Sequence, residues 1–122
     1  MPILGLDHVQ LAIAPGTEAA CRAFWTALGF DEVEKPAALA GRGGLWLRGG
    51  TAMLHLGLQE PPQAARKAHP AFTVTDLGAL RQRLTRLGVA VREDAPFDGR
   101  PRLFCDDPAG NRIEFIEGAA PS

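Results

Sequence analysis

Three histidines and one glutamate stand at related places in this 122-residue chain. His8 and His69 are separated by 61 residues, and His55 and Glu114 by 59. An imidazole offers a neutral nitrogen and a carboxylate a hard oxygen. Together they suit one divalent ion of Zn, Ni, Mn, Fe or Co, with no sulfur ligand in the set. Taken singly, each has a plainer reading. A strand histidine is commonly a satisfied core or surface residue, and Glu114 alone would be a surface charge between Ile113 and Phe115. What groups them is that both spacings belong to one internal repeat.

The repeat is legible in the elements. Leu6 to Ile13 alternates Val9, Leu11 and Ile13 with His8, Gln10 and Ala12, the pattern of a half-buried strand opened by His8. Pro15-Gly16 ends it and Thr17 is placed to cap a helix, whose face is Cys21, Phe24, Trp25 and Leu28. Gly29 closes that helix. Strands are expected over Asp31 to Glu34, Leu45 to Arg48 and Thr51 to Leu58, with Arg42-Gly43-Gly44 and Arg48-Gly49-Gly50 as hairpin turns. The pattern restarts at His69 to Thr75, followed by an Asp76-capped helix striped by Leu77, Leu80, Leu84 and Leu87 and closed by Gly88. Strands then fit Val89 to Glu93, Arg102 to Asp106 and Asn111 to Glu117, the last two joined by the turn Asp107-Pro108-Ala109-Gly110-Asn111.

The expected fold is therefore α+β: two βαβββ modules in one chain, forming curved mixed sheets with helices on the convex face. Module one covers about 1–60 and module two about 67–118 of a single domain, 1–122, joined by the linker Gln59 to Ala68. Only Ala119 to Ser122 reads as a tail.

Strand parity sorts the side chains. Leu54, Leu56, Ile113 and Phe115 take the face that meets the helices, which leaves His55 and Glu114 on the concave face. Gln10, Trp46, Arg102 and Phe104 share that face and are the candidate substrate contacts. Gln10 would hydrogen-bond, Trp46 and Phe104 would wall an apolar pocket, and Arg102 would hold a carboxylate. Core packing for Trp46 and a salt bridge for Arg102 are the competing readings.

The composition excludes several classes. A net charge of -1 gives no reason to expect nucleic acid or an anionic membrane, so Arg81, Arg83 and Arg86 read as a solvated helix face. Arg66 and Lys67 read as exposed linker charges. No apolar run approaches the roughly 18 residues of a membrane span, and the N-terminus lacks a signal core. Cys21 and Cys105 read as small buried hydrophobes in a cytoplasmic, reducing setting.

Leu6-Asp7-His8-Val9-Gln10-Leu11, the helix end Phe24-Trp25 to Leu28-Gly29-Phe30, Ala68-His69-Pro70-Ala71-Phe72 and Asp107 to Glu114 resemble the vicinal oxygen chelate superfamily. That superfamily includes glyoxalase I, bleomycin-resistance proteins, fosfomycin-modifying enzymes and extradiol dioxygenases. The resemblance spans nearly the whole chain and implies His8, His69 and Glu114 as metal ligands. His55 falls where glyoxalase I has a ligand glutamate. It is either the fourth ligand or, with three, a free general acid–base; Glu114 and His55 are thus the candidate catalytic groups. In many relatives the ligands come from two subunits, which implies a homodimer, with an intrachain site as the other possibility.

Fosfomycin chemistry is not expected, because Phe104 stands where those enzymes have tyrosine and Gln10 where they have threonine. The reaction implied is a metal-dependent lyase or isomerase step on a small substrate with vicinal oxygens. A non-catalytic drug- or metabolite-binding protein and a non-haem iron dioxygenase-like enzyme are the alternatives.

Overall fold

The computed structural model describes residues 1–118; the tail read over Ala119 to Ser122 lies outside the described residues. The chain forms two compact units, Met1–Gln63 and a second beginning at Ala64. The first runs β1 (Val9–Ile13), α1 (Glu18–Ala27), β2 (Asp31–Val33), a 3₁₀ turn (Ala37–Arg42), β3 (Leu45–Gly49) and β4 (Ala52–Leu58). The second runs β5 (Ala71–Val74), α2 (Leu77–Arg86), β6 (Arg92–Glu93), β7 (Arg102–Asp106) and β8 (Arg112–Glu117). Each holds one four-stranded mixed sheet, ordered β1-β4-β3-β2 and β5-β8-β7-β6. β1 and β5 are parallel to their neighbours β4 and β8, and the other pairings are antiparallel. This is the expected α+β repeat of βαβββ.

The repeat extends to side chains. Arg22 on α1 pairs with Glu32 on β2 at 2.8 Å, and Arg81 on α2 pairs with Glu93 on β6 at 3.0 Å. Thr26 and Thr85 each donate to the carbonyl four residues back, of Arg22 and Arg81. Arg81 is therefore tied to its own sheet and is not simply solvated. Exposed pairs of this kind add little stability, so the correspondence speaks to geometry more than to energy.

Packing follows the helix faces. Cys21, Phe24 and Trp25 are buried in unit one, with Trp25 edge-on to Phe24 and Phe30 at 5.1 Å. Leu77 and Leu84 are buried in unit two. The expected stripe stops there: Leu87 is exposed, because it lies past the last helical residue as the C-cap. Asp76 caps α2 by accepting from the Ala79 N–H at 3.0 Å. Thr17 sits at the N-cap of α1, but its hydroxyl donates to the Ala14 carbonyl instead of accepting from the helix. Both cysteines are free and buried, and burial pushes the Cys105 thiol up to about 12, which removes it as a nucleophile near neutral pH.

Several boundaries differ from expectation. β1 starts at Val9, so the exposed His8 precedes the ladder instead of opening it. β5 starts at Ala71, because Pro70 has no N–H to give; its carbonyl still accepts from the Glu114 N–H at 3.0 Å. β6 shrinks to Arg92–Glu93. Gly43 and Gly44 do not form a hairpin turn, since they follow the unforeseen 3₁₀ turn and lead into β3. The Asp107–Asn111 turn forms as read. The buried Asp107 carboxylate accepts from the Ala109 and Asn111 N–H groups, and Asn111 accepts from Ala65 at 2.8 Å.

Gly44 (φ +79) and Gly88 (φ +76) share a backbone conformation but not an environment. A Cβ at Gly44 would fall 2.1 Å from the Leu56 carbonyl oxygen, whereas one at Gly88 meets nothing within 4 Å. Gly88→Ala is expected to cost about 1–2 kcal/mol, and Gly44→Ala about 3 kcal/mol or more, read as urea denaturation midpoints at constant slope.

Candidate functional site

The ladders place the candidate residues in two matching rows. In unit one, His55 on β4 is flanked by Gln10 on β1 and Trp46 on β3. In unit two, Glu114 on β8 is flanked by Ala71 on β5 and Phe104 on β7. Directly opposed residues share a face of the sheet, so each row presents its side chains together. His8 stands two residues before Gln10, and His69 two before Ala71.

Row one is a stack of rings. The Trp46 and His55 rings lie 3.9 Å apart and 4° from parallel, and His8 covers the other side of His55 at 4.0 Å and 20°. His8 Nδ1 contacts Asp7 Oδ1 at 2.8 Å. His55 is only 7% exposed. Burial pushes its imidazole below the ordinary 6.5; the neighbouring His8 adds to this and Asp7 opposes it. Beside the stack opens a cavity of about 260 Å³, lined among others by Gln10, Lys35, Arg42, Trp46 and His55.

Row two is ionic. His69 Nε2 lies 2.8 Å from Glu114 Oε1, and its Nδ1 lies 2.9 Å from the Lys67 carbonyl oxygen. A carbonyl can only accept, so Nδ1 carries a proton and Nε2 is the nitrogen turned to the carboxylate. Glu114 is 6% exposed. Its second oxygen is 3.4 Å from the Arg102 guanidinium, which also reaches Asp94 at 3.4 Å and donates to the Ala95 carbonyl at 2.8 Å. Phe104 is buried with its ring edge-on to His69 at 5.2 Å.

The four candidate ligands thus fall into two pairs, His8 with His55 and His69 with Glu114. Among the described residues no three His, Cys, Asp or Glu side chains are grouped so as to hold a metal ion. Gln10 reaches along the sheet so that a Cβ on Gly57 would fall 2.5 Å from its amide nitrogen. Lys35, Arg42 and the Lys67 carbonyl are parts of these sites that sequence reading did not single out as functional. The first two line the cavity because of the 3₁₀ turn, for which no periodic signal exists.

The Glyoxalase/Bleomycin resistance protein/Dioxygenase superfamily model matches residues 5–115, and the chain belongs to that family. It is similar, at 38% identity and TM-score 0.91 over 98% of both chains, to a putative glyoxalase family protein from Bacillus anthracis. A lactoylglutathione lyase from Agrobacterium tumefaciens shares the fold at 21% identity and TM-score 0.75, covering 97% of this chain and 96% of that one. So does TnmS3, an antibiotic binding protein from Streptomyces, at 21% identity and TM-score 0.72, covering 98% and 99%. No curated protein matches the sequence. No helix among the described residues is long and apolar enough to cross a membrane.

Because burial holds the His55 pKa low, its ring should be neutral at pH 7 and gain its proton only in more acid solution. A proton NMR titration should show the His55 resonance, identified by its absence in His55→Gln, with a midpoint below 6.5. A midpoint at or above 6.5 for that resonance would contradict the buried stack.

Proposed function

We propose that this chain is a divalent-metal-dependent enzyme of lyase or isomerase type, acting on a small substrate through two neighbouring oxygens. The observation that carries the reading is the His69–Glu114 pair. One ring nitrogen of His69 is engaged by the Lys67 carbonyl, while the other meets a nearly buried carboxylate at 2.8 Å. Metal-ligating histidines are oriented in this way, with the far N–H on a backbone acceptor. His8 and His55 supply the matching nitrogens of unit one. When bound, a divalent ion supplies Lewis-acid polarisation of the substrate oxygens.

The other roles belong to the chain's own groups. Arg102 orients Glu114 through its second oxygen. Trp46 and Gln10 line the cavity of unit one, and Phe104 packs edge-on to His69 in unit two. A neutral His55 can take a proton at its ring nitrogen, provided that His8, His69 and Glu114 suffice as ligands. Two donors in each unit make four only when both units contribute. As the family resemblance implies, the two pairs are taken as contributed by two subunits of a homodimer, with an intrachain set as the alternative.

A second reading is a non-catalytic binding protein, as the similar Streptomyces protein is by its name. The cavity beside Trp46 supports it, since that cavity needs no metal to accept a ligand.

Metal analysis and thermal melting separate the two. The enzyme reading predicts one ion per subunit and a melting temperature raised by Ni, Zn, Mn, Fe or Co, with both effects lost in His69→Ala and Glu114→Gln. Binding stabilises by mass action, so a hundredfold excess over Kd should add about 2.7 kcal/mol. A protein that takes up no metal and melts unchanged would exclude the enzyme reading.

A further inference from the structure

The cavity of unit one is lined by two cationic side chains. Lys35 and Arg42 line it, and no carboxylate does. Lys35 is fixed there by donating to the Gly43 carbonyl, which leaves two further N–H groups for another acceptor. Arg42 ends the 3₁₀ turn, and among the described residues its side chain has no ion-pair or hydrogen-bond partner. Glu18 approaches the same segment, but its carboxylate is directed to the Gly44 and Gly16 N–H groups and is not part of the lining. Trp46, His55 and Gln10, neighbours across the sheet, also line it and add an aromatic and amide surface. A volume of about 260 Å³ falls a little below the roughly 300–1,000 Å³ of drug-sized ligand pockets, which suits a small ligand.

We propose that this cavity binds a small organic anion, its carboxylate or phosphate end between Lys35 and Arg42 and its uncharged part against Trp46 and His55. Two cations without a carboxylate between them favour a negative ligand, and the guanidinium fork matches either head group through paired hydrogen bonds. The chemistry of the lining orders the ligand: its charged end meets Lys35 and Arg42, and its less polar end Trp46 and His55. This rests on the proposed function only in taking the ligand as that enzyme's substrate. The anion site itself needs no metal.

The probes are benzoate, phenyl phosphate and the neutral benzamide, titrated into the full-length protein before and after metal removal by chelation and dialysis. The readout is the indole N–H resonance of Trp46, assigned with Trp46→Phe, against the fully buried Trp25 as internal reference. At least one anion should shift Trp46 and leave Trp25 in place, binding about tenfold more tightly than benzamide. Arg42→Gln should weaken that anion by about tenfold while benzamide is unaffected, and Arg42→Lys should recover most of the loss. The tighter anion names the head group.

Equal affinity for benzamide and the anions, no effect of Arg42→Gln, or an unmoved Trp46 at saturating anion would each overturn the proposal. Anion binding in a protein that takes up no metal would leave this inference standing while the enzyme reading falls. The reverse result would do the opposite.

Discussion

The backbone ladder of β4 sets His55 between Gln10 and Trp46, and the ladder of β8 sets Glu114 between Ala71 and Phe104. Everything chemical about the molecule depends on that register. Side chains alternate along a strand, so a slip of one residue would send His55 and Glu114 to the helix-facing side and bring Leu54 or Ile113 in their place. The apolar residues guard against such a slip. Leu54, Leu56, Ile113 and Phe115 are all nearly or fully buried, and exposing them would cost roughly 1.5–3 kcal/mol each. The hydrophobic pattern thus fixes the polar one, although the polar residues contribute little to fixing the fold.

The two rows are alike in backbone and opposite in electrostatics. Row one solves burial by neutrality: His55 is stacked between two rings, and the low dielectric disfavours its charged form. Row two solves it by pairing. A carboxylate at 6% exposure would be costly alone, and it is met by His69 on one oxygen and Arg102 on the other. An internal repeat has therefore kept one geometry and used it for two chemistries, an imidazole pair in one unit and an imidazole–carboxylate pair in the other. Arg22–Glu32 and Arg81–Glu93 show the contrasting case, where the repeat preserved the charges as well.

Most of the architecture was legible in the sequence because it rests on periodicity. The alternation in Arg102 to Asp106 and in Thr51 to Leu58 located strands closely, and Asp76 and Gly88 bounded α2 as helix-end chemistry requires. Strand starts were less legible. Alternation continues through His8, but a strand also needs a partner, and that ladder begins at Val9. The 3₁₀ turn Ala37–Arg42 escaped notice because its Ala- and Gly-rich run has no apolar period, and with it went Lys35 and Arg42 as cavity residues. For the site, parity placed Gln10, Trp46, Phe104 and Arg102 on the faces of His55 and Glu114. It was silent on how His69 is oriented, because the Lys67 carbonyl that engages Nδ1 is backbone and carries no residue signature.

The central claim, that His8, His69 and Glu114 form one metal site with His55 as fourth ligand or neighbouring base, is tested most directly by X-ray absorption at the edge of the bound metal. The account predicts imidazole back-scattering from at least two histidines together with a carboxylate oxygen. That signal should fall by one imidazole in His8→Ala and again in His69→Ala. If His55 is a ligand, His55→Ala lowers it as well; if it is a free base, the spectrum is unchanged there. A metal shell without imidazole, or one indifferent to both His8 and His69, would contradict the account.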